Sequence, residues 1–231
     1  MYAYIFDTET TGFNEPQVIQ AASRRLTIQG DEGINAAAFY CPSKPIELGA
    51  KAVHHILESE LIDKPASSEF CFNDACPRCT YLIGHNIDYD WEVVGKPDVK
   101  RICTLAMART FWPTLDSHSQ TALMYFHFGD AAKHMVENAH DAEADVYNLM
   151  KLWYSLFLPT ITQRIGLHPS WEQIWAFSED CRIPRIMTFG KYKGQSINDV
   201  DLGYIQWYLR QPDTDPYVVE AFHRVLKGER L

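Results

Sequence analysis

Residues 5–13 read Ile5-Phe6-Asp7-Thr8-Glu9-Thr10-Thr11-Gly12-Phe13. An apolar run that starts near Tyr2 ends on two carboxylates one residue apart. Alternate residues of a strand share a face, so Asp7 and Glu9 project to one side. Acidic side chains ordinarily stay in water. A pair held at the end of a buried strand is therefore either a solvated strand terminus or a site that meets positive charge. Two hard oxygen ligands on a rigid strand suit Mg²⁺ or Mn²⁺. The stretch alone leaves both readings open.

The chain around it has the composition of a globular protein: 231 residues, 46% hydrophobic and 22% charged,. It has no run of 18 apolar residues, so no membrane-spanning helix is expected. The first residues, MYAYIFDTET, lack the basic start of a secretory signal,. Six irregularly spaced cysteines then predict free thiols in a reducing cytoplasm,. The net charge of −9 falls entirely within residues 1–160; residues 161–231 carry nine basic and nine acidic side chains. A protein that coats long duplexes is usually basic. Any nucleic-acid contact should thus be short, or lean on metal ions.

Strands are expected at 2–8, 18–28 and 34–41, the last two separated by the turn Gly30-Asp31-Glu32-Gly33,. A short helix is expected at 49–56 and a strand at 80–86. Helices follow at 104–112, 119–129 and 141–158, from apolar residues recurring every three or four positions. Strands first, then strands alternating with helices, predict an α/β fold with a mixed sheet covered by helices. Pro159 is expected to end this block. The predicted organisation is a domain at 1–158, a connector at 159–182 and a small C-terminal module at 183–231.

Three distant elements bear on the acidic pair. The segment GHNIDYDW (84–91) places Asp90 four residues after Asn86, behind a strand and near a helix start. HDAEAD (140–145) places His140 and Asp145 five residues apart at another helix start, a little over one turn,. Asp7-x-Glu9, Asp90 and His140-xxxx-Asp145, in this order, resemble the DEDDh superfamily of 3′→5′ exonucleases and, within it, the exodeoxyribonuclease X group. The likeness spans roughly residues 1–155. The tail TFGKYKG…YIQWYL is similar to a small C-terminal module of some of those proteins.

The resemblance implies a ribonuclease H-like, five-stranded mixed sheet flanked by helices. It implies two Mg²⁺ (or Mn²⁺) ions held by Asp7, Glu9, Asp90 and Asp145, with Asp7 bridging and Asp90 acting mainly through a water. It implies His140 as general base, a role that suits an imidazole near neutral pH. The expected substrate is a single-stranded or frayed DNA 3′ end, and the products are nucleoside 5′-monophosphates. RNA trimming is the alternative within the same chemistry. A catalytically weak nucleic-acid-binding or recruitment protein is the alternative from another class.

Substrate contacts are expected around the same strand end. Thr10 and Gly12 form the turn after it, where glycine lets backbone approach a ligand. Phe13 either stacks on a base or packs in the core. His54, or its neighbour His55, matches a histidine that such exonucleases carry near the terminal nucleotide. Asn86 either bridges its turn or touches substrate. Gln20 stands where many relatives have a glutamate, outside the metal set. Asp88 and Glu92 are expected to be solvated. Cys71, Cys76 and Cys79 could offer three zinc ligands, but a lone Cys-x₂-Cys fits free thiols better. Lys191-Tyr192-Lys193 between two glycines could touch nucleic acid or a protein partner.

Overall fold

A computed structural model describes residues 2–231, apart from the side chains of Asp31, Ile34 and Asn35. Strand β1 (Tyr2–Thr10) is the middle of a five-stranded sheet. On one side β2 (Val18–Leu26) pairs with it antiparallel and β3 (Asp31–Phe39) completes a meander. On the other side β4 (Cys79–Gly84) runs parallel to β1, and β5 (Lys100–Cys103) parallel to β4. The order is β3-β2-β1-β4-β5. The β1 side chains of Ala3, Tyr4, Ile5 and Phe6 are all buried. A strand buried on both faces reads as a continuous apolar run rather than an alternating one.

Helices cover the sheet. They are α1 (Leu48–His54), α2 (Phe72–Ala75), α3 (Asp88–Val93), α4 (Thr104–Phe111), α5 (Gln120–Phe128), α6 (Ala132–Met135) and α7 (Ala142–Leu152). α7 lies across β1 and β2, with Val146, Leu149 and Leu152 buried. On the α2 side Phe6 meets the edge of Phe72, ring centroids 5.8 Å apart.

Two expectations about elements fail, each for a physical reason. Lys100–Cys103 forms strand β5, where no strand is expected ahead of the 104–112 helix; four residues are too few to display a period,. Pro159 does not end the helical block. α7 passes into a π-helical segment, Trp153–Phe157, and then into α8 (Leu158–Ile165), where Pro159 occupies the first turn. The missing proline N–H is tolerated there because a π segment shifts the hydrogen-bond pattern by one residue. α9 (Trp171–Arg182) follows. Among the described residues no helix is long and apolar enough to cross a membrane.

Contacts divide the chain into a unit ending at Ser178 and a second, Glu179–Leu231. In the second, α10 (Leu202–Tyr208) and α11 (Pro216–Leu226) are capped by Asp201 and Asp215,. Met187, Ile197, Ile205, Val218 and Phe222 form its own core. Ile205 and Tyr208 of YIQWYL are core, whereas Trp207 is exposed. Tyr192 donates to Asp201, and Lys191 lies 4.9 Å from the Tyr192 ring.

Candidate active site

β4 stops at Gly84 while β1 runs on to Thr10. Gly84 packs tightly there, since a Cβ would stand 2.6 Å from Ile87 and 3.0 Å from the Phe6 carbonyl, and the β1–β4 pairing ends at Ile5 and Ile83. The freed edge of β1 needs a new partner, since a buried N–H must be satisfied. Asp90 of α3 supplies it. Its Oδ1 accepts from the Thr8 N–H at 2.9 Å and from the Thr8 hydroxyl at 2.7 Å. A cleft opens at the carboxyl ends of β1 and β4, the place where open α/β sheets bind ligands. Asp7, Glu9, Asn86, Tyr89, Asp90, Gln120, His140 and Asp145 all line it, around a volume of about 470 Å³.

α7 delivers the other two residues. Asp141 caps it by accepting from the Ala144 N–H at 3.0 Å. His140, just before the cap, has the left-handed φ of 68° that few non-glycine residues adopt,. That turn aims the His140 N–H at Asp145 Oδ2, 2.9 Å away. Gln20 of β2 secures the same turn: its amide donates to Asp141 at 2.7 Å and accepts from the Ala142 N–H at 3.0 Å. A glutamate there would lack the donor and would face a second carboxylate.

The electrostatics are one-sided. Burial, then the charges of Asp90, Glu9, Asp145 and Asp141, hold the Asp7 carboxyl well above the usual range. Burial and the same neighbours push Glu9 up to about 8. Burial pushes Asp90 up to about 7 against the pull of the Thr8 donors. Asp145 is raised by burial, with the His140 N–H pulling it back. Asp90 is buried and Asp7, Glu9 and Asp145 are half-buried; crowded carboxylates raised in this way mark functional sites. Glu9, His140 and Asp145 offer ligand atoms that all lie within 4.8 Å of one another, and Asp7 and Asp90 share their cleft. This donor set, hard oxygens with one imidazole, fits a divalent cation. The exposed His140 ring thus stands within 4.8 Å of the Glu9 and Asp145 carboxylates.

The expected substrate contacts separate. Phe13 is 86% exposed, which excludes the core reading. Its ring meets the edge of Tyr89, centroids 5.6 Å apart. Thr10 is buried and bonds the Tyr89 hydroxyl at 2.7 Å. The Tyr89 hydroxyl also donates to the Gly12 carbonyl at 3.1 Å. Gly12 has a φ of 137°, which L side chains rarely adopt, and the Glu47 carboxylate packs against it, 2.2 Å from where a Cβ would lie,. Glu47 accepts from the Phe13 and Asn14 N–H groups at 3.3 and 3.2 Å. His54 is buried, and its Nδ1 accepts from the Ile56 N–H at 2.9 Å; His55 is the exposed, left-handed cap of α1. Asn86 is exposed, with φ 77°, and its carbonyl accepts from the Tyr89 N–H. Asp88 and Glu92 pair with Arg101 and Lys96.

Sequence reasoning missed Tyr89, Gln120 and His85. Burial pushes the His85 imidazole down to about 4. A neutral ring must then donate from Nε2 to the His118 carbonyl, 2.7 Å away, and accept at Nδ1 from Thr104, 3.0 Å away,. Only the serine before α5 carried a readable signal, as the helix cap it proves to be,. The cysteines form no metal group among the described residues; Cys76 is buried, and all six are free.

No family model matches the chain. Exodeoxyribonuclease 10 of Escherichia coli K12 is 28% identical over 216 residues, covering 91% of each chain. Among solved structures, an exonuclease X in complex with 5′ overhanging duplex DNA aligns with a TM-score of 0.61 at 23% identity, over 76% of this chain and 99% of that one. E. coli exonuclease I with a dT13 oligonucleotide aligns with a TM-score of 0.57 at 20% identity, over 76% of this chain and 45% of that one. These structures have the same ribonuclease H-like fold.

Proposed function

We propose that this chain, an exonuclease of the DEDD, ribonuclease H-like type, hydrolyses DNA from 3′ ends and releases nucleoside 5′-monophosphates. One observation carries the reading: four carboxylates from β1, α3 and α7 converge with His140 on one cleft, and no described ion pair neutralises them. The DNA named in the exonuclease X and exonuclease I complexes supports the choice of substrate.

Asp7, Glu9, Asp90 and Asp145 would hold two divalent ions, Mg²⁺ or Mn²⁺. Such ions supply charge that offsets the carboxylates and Lewis acidity that stabilises an anionic transition state. The Thr8 donors fix the Asp90 carboxylate, and the His140 N–H fixes that of Asp145. The His140 ring, exposed at the mouth of the cleft, accepts a proton from the attacking water on a ring nitrogen,. Phe13 presents its face to an unpaired terminal base, braced by Tyr89,. The absence of a long basic stripe in the sequence favours single-stranded or frayed ends over long duplexes,.

The test is a side-by-side digestion of 3′- and 5′-labelled DNA and RNA oligonucleotides with Mg²⁺. Mononucleotides should leave the 3′ end of DNA, and Asp7→Ala should abolish this. Faster digestion of RNA would reassign the substrate. Silence on both, at high protein concentration with Mn²⁺, would overturn the enzyme reading.

A further inference from the structure

The geometry points to Gln120 as a positioning residue for Asp145, an inference that rests on the divalent-ion reading of the cleft. Gln120 is the first residue of α5 and lines the cleft. Its Nε2 lies 3.0 Å from Asp145 Oδ1 and 3.0 Å from the Asp145 backbone carbonyl. Both partners are acceptors, so chemistry alone requires the amide NH₂ to face them. One NH₂ group thereby ties a side chain and its own main chain together and restricts the torsion between them.

The two oxygens of Asp145 have separate donors. The His140 N–H takes Oδ2, and Gln120 takes Oδ1. An ionised carboxylate has about four acceptor positions. Two neutral donors occupy two of these and leave the others for a cation shared with Glu9, whose carboxylate lies within 4.8 Å. Neutrality matters: a lysine at position 120 would compete with the ion. Carboxylate ligands without such outer hydrogen bonds lose orientation and with it affinity.

Gln120 is itself anchored. Ser119 caps α5 by accepting from the Ala122 N–H, and the next turn buries Leu123 and Met124. His118, one residue earlier, is held through its carbonyl by His85 at the end of β4. A line of contacts therefore runs from the β4 end, which leads into Asp90, through residues 118–120 to Asp145 on α7. It couples two ligand-bearing elements that the chain separates by more than fifty residues.

The test uses the full chain and Gln120→Met, which keeps length and helix propensity but removes the donor. Mn²⁺ binding without DNA is measured by calorimetry, beside KM and kcat on a 3′-labelled oligonucleotide and the melting curve in EDTA. The expected result is a 10- to 100-fold loss of Mn²⁺ affinity. It should come with a fall in kcat that added Mn²⁺ partly restores, a KM near that of the unmodified chain, and an unchanged EDTA melt. Mn²⁺ affinity within twofold of the unmodified chain would overturn the assignment. If Gln120→Met fails to fold, Gln120→Leu replaces it; unfolding of both also overturns the assignment, since Gln120 would then support the fold. An unmodified chain that binds Mn²⁺ but releases no nucleotide would sink the exonuclease reading and leave this assignment standing.

Discussion

The acidic cleft and the Glu179–Leu231 unit treat their carboxylates in opposite ways. In the C-terminal unit Arg224 meets Asp180 at 2.7 Å and Glu220 at 2.9 Å, and it lowers the Glu220 carboxyl below its ordinary range. In the cleft, Asp7, Glu9, Asp90 and Asp145 are all raised, because burial and mutual repulsion act together. The cleft meets its acids with neutral donors, from Thr8, His140 and Gln120. Paired carboxylates at a surface contribute little and are replaceable. Crowded, desolvated ones without a basic partner must stay protonated or meet a cation.

Substitutions in the two regions should therefore diverge. The largest effect is expected from Asp7→Ala or Glu9→Ala: a loss of 3′-end cleavage of about 10³-fold or more, on the order of 4 kcal/mol in the barrier. Glu220→Ala, read in the same cleavage assay, should leave the rate unchanged. Equal losses from both would erase the contrast. Next is Asp7→Asn, which removes one charge from the crowded carboxylates. It should abolish cleavage yet raise the melting temperature of the metal-free protein at pH 8, as expected where function demands a strained site. A lower melting temperature would mean that Asp7 is stabilising as an anion.

The pH dependence follows from the direction of the shifts. Glu9 moves from 4.5 to about 8 and Asp90 from 3.8 to about 7 on folding. The folded state therefore holds protons that the unfolded chain has released. The protonated carboxyls contribute stability that is fully present below about pH 4 and is lost as pH rises through about 7 to 8. Metal-free melting temperatures should fall across that window, and Mn²⁺ should stabilise more at pH 8 than at pH 6. A flat profile would show the carboxylates to be compensated after all. The smallest effect is expected from Thr8→Val. It removes one of the two donors on Asp90 and keeps the N–H. Cleavage should fall by about tenfold, in the range of lost outer hydrogen bonds to a ligand, and the acid limb of its pH profile should move upward. An unmoved limb would leave Thr8 with a packing role.

The candidate site was legible where its information is local. Asp7 and Glu9 announce themselves by spacing on one strand, and His140 and Asp145 by spacing at one helix start. Asp90 was separable from Asp88 and Glu92 by its distance behind a strand, and the structure pairs Asp88 with Arg101 and Glu92 with Lys96. Gln120 and Tyr89 gave no such signal. A glutamine at a helix start is ordinary, and its role depends on an aspartate twenty-five residues later. Gly12 was legible as a special position; that Glu47, thirty-five residues later, packs against it was not.

Residue spacing alone sets the periodic elements, the acidic residue types of the cleft and their order along the chain. Side-chain period and residue chemistry are properties of neighbours in the chain. Only the tertiary structure decided that β1 outruns β4, that Phe13 stands in solvent, that Pro159 sits inside a helix, and which neutral donors hold Asp90 and Asp145. Those outcomes depend on which distant groups meet once the core has closed. The meeting is set by packing and by the need to satisfy every buried polar group, and neither is written in any single window of residues.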